Sequence, residues 1–471
     1  MRNSRKPATA VAPAPGILEG LAGFHPRAER LALGKALRAQ VPRESQGDFH
    51  VPHKGRDPVA ILEATSRGRL QELVPIRYGR MARSPFTFLR GSAALMAHDL
   101  GQTPATGIRV QACGDCHLLN FGAFATPERR LVFDLNDFDE TLPAPWEWDV
   151  KRLVASFVVA ARDLRLSDDD GHGAVIACVN AYREHLRKCS RKRPLEIWYQ
   201  HLDLDTVIRM APDASARKFR QQIADRARER VIENLFPKIT TEVDGRHRIV
   251  DQPPVLMHVA EPDFEARVLE GLADYRASLP DERRVLLDRY RLEDVALKVV
   301  GIGSVGTRCY IGLLFSEDGH PLILQFKEAL PSVLAAHAGS SAYDNQGQRV
   351  VVGQRLMQSS SDIFLGWVRG RGRSGYDFYV RQLRDMKMSV PMDGLSAVQL
   401  VRYARLCGWT LARAHAKSGD AATISGYLGK SDVFDQAMAR FALAYADQTR
   451  QDHAALVKAI RSGRIKAIAE E

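Results

Sequence analysis

Gly301-Ile302-Gly303-Ser304-Val305-Gly306-Thr307-Arg308-Cys309-Tyr310-Ile311-Gly312-Leu313-Leu314-Phe315 fits G-x-G-x-x-G and runs straight on into strand-like sequence. The glycine string alone is a weak signal, and the residues after it separate three phosphate-binding architectures. A dinucleotide-binding fold needs a helix after the glycines, so that phosphate meets the helix N-terminus. A Walker loop needs Gly-Lys-Ser/Thr, which this stretch lacks. Residues 308–315 instead read as a strand, as do 295–300 before the glycines and 322–326 beyond them. The last two strands are joined by Ser316-Glu317-Asp318-Gly319-His320-Pro321, whose Asp-Gly is a hairpin signal. Strand, glycine turn, strand is the arrangement in which a hairpin flap covers a triphosphate.

Such a flap demands a lysine on the next strand, and Leu322-Ile323-Leu324-Gln325-Phe326-Lys327 supplies one. An ammonium there pairs with α- and β-phosphate oxygens. The plainer alternative is an edge-strand lysine facing solvent. Gly301, Gly303, Ser304, Gly306 and Lys327 are accordingly expected to hold a nucleotide.

Further upstream, Gly114-Asp115-Cys116-His117-Leu118-Leu119-Asn120 places Asn five residues after Asp, and Asn136-Asp137-Phe138-Asp139-Glu140 comes at the end of a strand over 131–135. Phosphoryl transfer needs an acceptor for the attacking hydroxyl's proton and oxygen ligands for Mg²⁺. Asp115 suits the first role; Asn120 and Asp137 suit the second, with Asp139 as an additional ligand. The alternative is a pair of turn residues and a solvated acidic loop. Crowded carboxylates favour a divalent cation over mutual repulsion. A helix over 149–165 comes next, apolar on one face, with Asp149 expected as its N-cap or as a brace for the acidic loop.

These residues resemble the protein-kinase-like superfamily, in particular the aminoglycoside and choline phosphotransferase branch, whose loop reads H-G-D-x-x-x-x-N before a D-F or D-W strand end. Phe88-Leu89-Arg90-Gly91, Gly114–Gly122 and Gly353-Gln354-Arg355-Leu356-Met357-Gln358 together look like the bacterial family known as domain of unknown function 2252, over roughly residues 50–450. The resemblance implies an α+β, two-lobed kinase-like fold with a helix-rich lobe and a smaller antiparallel-sheet lobe, ATP and Mg²⁺ as cofactors, and an acceptor substrate of unknown identity. It implies a phosphotransferase acting on a small molecule or protein, or alternatively a non-catalytic or nucleotidyl-transferring relative.

Kinase-like chains run from glycine turn to lysine to catalytic loop, whereas here the acidic loop comes first. A circular permutation resolves the order, with 378–383 as hinge strand and a helix over 400–417, carrying Leu411-Ala412-Arg413-Ala414-His415, that normally leads into the catalytic loop. Cys113 stands where that loop's histidine belongs, and Asp139 where the metal loop has glycine. No glutamate occurs after Glu328 before Glu470, so the usual lysine-pairing glutamate is missing. Asp344 or Gln354 could replace it, while Glu328 should face away from Lys327. Arg80, Arg83 and Arg90 could contact phosphates or an anionic acceptor.

The chain divides into a disordered leader (1–16), a helix-rich lobe (17–290) with both acidic loops, a β-rich nucleotide-binding lobe (291–390) and a helical return (391–471). The net charge of +11 invites nucleic acid as a partner, but the charge is scattered apart from 187–193 and 369–373, which argues against it. The longest apolar run, 153–161, is too short to span a bilayer, and no apolar signal segment succeeds the basic start, so a cytoplasmic protein is expected. Cys113-Gly114-Asp115-Cys116-His117 also matches the C-x-x-C-H string of haem attachment, a short pattern prone to chance matches.

Overall fold

The computed structural model describes residues 25–50, 56–368, 375–383 and 386–468. The expected leader and the basic run 369–373 lie outside the described residues. Within them the fold is mixed α/β. β1 (Arg109–Ala112) pairs with β4 (Leu142–Pro145), and β2 (Phe121–Ala125) with β3 (Leu131–Leu135), both antiparallel. A small hairpin, β5 (Thr240–Val243) and β6 (Arg246–Ile249), comes after them. The largest sheet among the described residues is antiparallel, with strand order β11-β12-β10-β9-β8-β7. Its members are β7 (Leu256–Met257), β8 (Tyr290–Lys298), β9 (Cys309–Ser316), β10 (Pro321–Glu328), β11 (Gly366–Val368) and β12 (Phe378–Gln382). β13 (Met388–Ser389) then crosses back to pair with β2.

The three strand readings around the glycines are thus β8, β9 and β10, a meander closed by the Asp318-Gly319 turn with Gly319 at φ +77°. Strand alternation sorts this sheet into two apolar faces. Ile311, Leu313 and Ile323 pack on one side with Ile249 and Leu235. Leu314, Leu322 and Leu324 pack on the other, against Tyr275 and Leu279 of the Phe264–Ser278 helix and its C-terminal end. Lys327 shares the face of Ile323 and lies opposite Cys309 and Tyr379 in the register.

The largest core among the described residues brings together helices far apart in the sequence. The Trp146–Asp163, Asp168–Cys189, Ala397–Ser418 and Val433–Arg461 helices share it. At its centre Trp146 stacks on Tyr182 at 5.8 Å and tilts against Phe434 at 5.4 Å. The Trp146–Asp163 helix begins three residues earlier than expected, and Pro145, not Asp149, is its N-cap. Nor is one face of it solvated: residues from Trp146 to Ala161 are all buried. Its polar side chains are spent inward, Glu147 accepting from the Thr106 amide (2.8 Å) and Lys151 donating to Thr103 (3.0 Å).

Gly419 ends the Ala397–Ser418 helix with an extended φ of −126°. The reason for glycine there is proximity, since a Cβ would come within 2.5 Å of Val110. Ser418 Oγ accepts from the Gln111 amide at 3.1 Å, so the end of this helix lies against the strand that feeds the 113–120 loop.

Candidate functional site

The 113–120 loop leaves β1 and is held from behind by one carboxylate. Asp149 accepts from the amides of Cys113 (2.6 Å) and Gly114 (2.9 Å). His415 contacts the same carboxylate at 3.2 Å, and Tyr182 the other ring nitrogen at 2.8 Å. Helix starts of this kind ordinarily place acids to cap the helix; here the acid caps a loop. Gly114 adopts φ +87° and a Cβ on it would meet the Glu140 carbonyl at 2.2 Å, so the two acidic loops touch. Asp115 is paired with Arg152, whose Nε donates to Oδ1 at 2.5 Å. Burial pushes the Asp115 carboxyl up to about 7; Arg152 opposes this, while Glu140 and Asp137 add to it. Asn120 donates to the Asp115 carbonyl at 2.5 Å, which closes the loop.

The second loop starts where β3 ends. The Asn136 amide donates to the Asn120 carbonyl (2.8 Å), so Asp137 sits directly beside the end of the first loop. Phe138 is buried and anchors the segment. Arg349, on the Gln346–Met357 helix, donates to the carbonyls of Asp139 (2.8 Å) and Thr141 (2.6 Å). Asp134 belongs to the core, paired with Arg413 and accepting from Ser359.

Lys327 comes to these loops from β10. Its ammonium contacts Asp139 directly and lies 3.7 Å from Asp137. Burial works against its charge, but the two carboxylates outweigh burial and hold the lysine well above its ordinary value. In the same way burial opposes the Asp137 charge, and Lys327, Arg381 and Lys387 more than compensate, bringing it down to about 2. Asp139 also accepts from Tyr379 (2.7 Å) and from Ser304 of the glycine turn (3.2 Å). That turn is fixed by Arg69 to the Val305 carbonyl (2.7 Å), Arg80 to the Gly301 carbonyl (2.5 Å) and the Leu70 amide to the Gly306 carbonyl (2.7 Å).

A cavity of about 320 Å³ is lined by Gly301, Gly303, Ser304, Asp115, Asn120, Asp137 and Asp139, and Lys327 borders it through its contacts with Asp137 and Asp139. Gly306 does not line it; it lies against Arg69 and Leu70. Among the described residues no three His, Cys, Asp or Glu side chains converge as a ready-made metal cluster. The Asp137 Oδ1 atom is nevertheless buried without a hydrogen-bond partner. Neither expected substitute reaches Lys327: Asp344 is exposed and Gln354 bonds Gln358 at 3.0 Å. Glu328 faces away from it, paired with Arg308 at 3.3 Å.

Several members of the site carry no motif. Arg152, Tyr379, Arg381 and Lys387 stand where no short pattern points, and only the register of β10 with β12 brings Tyr379 opposite Lys327. Lys387 donates to the Asn136 carbonyl at 2.8 Å, and burial draws its ammonium down to about 7.

The haem-like string is packed away. Cys113 and Cys116 are free thiols, 1% and 0% exposed. The Cys116 thiol is raised well above its ordinary value, chiefly by burial, which leaves little thiolate to react. In the basic run 187–193, Arg187 pairs with Glu184 and Arg193 with Glu196 (2.9 Å), so part of its charge is neutralised locally. No described helix is long and apolar enough to cross a membrane.

The chain belongs to the family described as "Uncharacterized protein conserved in bacteria (DUF2252)", whose profile matches residues 69–459. No curated protein matches the chain, and no solved structure does either.

Proposed function

We propose that this member of the DUF2252 family binds ATP with Mg²⁺ in the cavity between the glycine turn and the two acidic loops, and transfers a phosphoryl group to an acceptor. In this reading the protein is a two-lobed kinase-like fold with a circularly permuted chain. The sheet around β8–β10 is the smaller lobe, and the helices at 146–189 and 397–461 form the larger. The observation that carries the proposal is convergence. Ser304, Lys327 and Asp139 meet at one point although they come from three separate segments, and Asp115, Asn120 and Asp137 line the same cavity.

Each residue then has a definite task. The glycine turn covers the phosphates, and Lys327 neutralises them. Asp115, ionised, accepts a hydrogen bond from the acceptor hydroxyl and takes its proton, while Arg152 fixes its orientation. Asp137 and Asn120 suit Mg²⁺, which commonly takes one or two protein oxygens and completes its shell with phosphate and water. The orphaned Asp137 Oδ1 fits that role. The abutment of Ser418 on Gln111 supports the permutation, because it puts the end of the Ala397–Ser418 helix beside the strand that leads into the 113–120 loop.

A second reading is favoured by one detail. Lys327 pairs with Asp139 of the metal loop, not with an acid on the Gln346–Met357 helix. A lysine tied there could hold the triphosphate in another orientation, as in nucleotidyl transfer, or bind nucleotide without turnover. Incubation with γ- or α-labelled ATP and cell extract, with Asp115→Ala as control, separates these. Label from the γ position on an acceptor supports phosphoryl transfer, and label from the α position supports nucleotidyl transfer. Mg-ATP stabilisation with no transfer leaves a binding module, and no response of any kind removes the nucleotide site.

A further inference from the structure

We infer that the wall of the cavity carrying Arg69, Arg77 and Arg90 is a phosphate-binding site, separate from the position of Lys327; this rests on the nucleotide reading above. All three arginines line the cavity. Arg77 is 2% exposed and donates only to neutral acceptors, Ser66 Oγ (3.0 Å) and the Gly91 carbonyl (2.8 Å). Its Nε is buried without a partner, as is the Nε of Arg90. Arg69 spends its hydrogen bonds on the carbonyls of Thr65 and Val305. Among the described residues no carboxylate lies within ion-pair distance of any of the three.

The acids of the cavity form no ion pair with these three; their charges act on Arg69 and Arg90 only through space, and the direct contacts of four of them are elsewhere. Asp115 is taken by Arg152, Asp139 by Lys327 and Glu328 by Arg308. Glu140 accepts from the Val333 amide at 2.7 Å. Three guanidiniums are therefore gathered in one partly dry wall with no ion-pair partner among the described residues. Burial lowers all three below the ordinary arginine value, Arg77 to about 9 with Arg69 contributing. His117 Nδ1, also on this lining, is a further buried atom without a partner. A tetrahedral dianion that accepts forked N–H donors resolves the repulsion and the orphaned atoms together.

The position says what such a phosphate belongs to. The wall lies against the glycine turn, a Cβ on Gly303 falling 3.4 Å from the Arg90 carbonyl. Asp115 is the carboxylate whose charge acts on Arg90. A phosphate held here is thus next to the proton-accepting group. It is either a phosphate of the acceptor, bound so that its hydroxyl reaches Asp115, or the terminal phosphate of the nucleotide.

Titration of inorganic phosphate into the full chain tests this. Wild type is expected to bind, Arg90→Met to bind about ten- to a hundredfold more weakly, and Arg90→Lys to fall between. Without phosphate, Arg90→Met should melt no lower than wild type, since it removes a guanidinium that burial disfavours and whose Nε has no partner. Binding that survives both Mg-ADP and Mg-ATP assigns the site to the acceptor; displacement by Mg-ATP but not Mg-ADP assigns it to the terminal phosphate. Equal affinity in wild type and Arg90→Met, or no binding at millimolar phosphate, overturns the site. Mg-ADP binding and its loss in Lys327→Met report on the nucleotide reading independently.

Discussion

The Lys327 ammonium rests against the Asp139 carboxylate with Asp137 Oδ1 3.7 Å away, so a cation from the sheet neutralises two acids from the 136–140 loop. Removing one partner of a buried pair strands the other charge, at about 3–5 kcal/mol. Asp139 and Asp137 keep 27% and 38% of their side-chain surface, so Lys327→Met is expected to lose about 2 kcal/mol, allowing for solvent screening. Urea unfolding measures it. In an Asp139→Asn background the loss should shrink by about 1 kcal/mol; strictly additive effects would remove the coupling.

Among the described residues, Asp149 is the sole side-chain acceptor for the amides of Cys113 and Gly114. Asp149→Ala strands both donors, each worth about 1–3 kcal/mol. The expected outcome is a loss of about 3 kcal/mol, with faster hydrogen exchange at those two amides. Unchanged exchange there would show that the loop is held by something else.

The Asp115 carboxyl titrates at about 7 in the fold, against 3.8 for the free group. The folded chain therefore binds this proton more tightly than the unfolded chain. The stabilisation is complete below about pH 4 and is lost as pH rises through about 7. Under the proposed transfer, the rate is expected to move the opposite way, because a proton acceptor must be ionised, so it should rise through pH 7. Asp115→Asn is expected to flatten the stability slope across this window and to abolish the transfer. A wild-type rate independent of pH between about 6 and 8 counts against Asp115 as the acceptor.

Two glycines with left-handed backbone should respond differently to alanine. At Gly301, φ +67° with open space around it, strain alone applies, about 1–2 kcal/mol. At Gly114 the new methyl also meets the Glu140 carbonyl at 2.2 Å. Gly114→Ala is expected to be the more destabilised of the two by at least about 2 kcal/mol, as for overpacking in a closed site. It should also lose Mg-ATP stabilisation, whereas Gly301→Ala retains part of it. Melting curves with and without Mg-ATP make the comparison.

The elements legible in the sequence are those that local rules govern. β8, β9 and β10 announce themselves through short apolar runs, the glycines between them and an Asp-Gly turn, and Lys327 is found from them. The facing of Glu328 away from Lys327 comes from strand period alone. β2 carries no such signal, because Phe121-Gly122-Ala123-Phe124-Ala125 is buried on both faces and shows no alternation. The Trp146–Asp163 helix reads as one-sided because Lys151, Arg152 and Glu147 look solvent-seeking, whereas each finds a partner inside. Arg152 on Asp115 and His415 on Asp149 depend on contacts 37 and 266 residues apart, which no local pattern encodes.

That last separation sets a timetable for the nascent chain. At about 5–20 residues per second, the ribosome delivers His415 roughly 15–50 s after Asp149. Until then the brace behind residues 113–114 lacks its histidine, and the Asp168–Cys189 helix lacks the Ala397–Ser418 helix that covers it. Both acidic loops are translated early, yet their final geometry waits for a histidine near the far end of the polypeptide. A message truncated after β13 therefore yields a chain holding every residue of the cavity and no stable scaffold to arrange them.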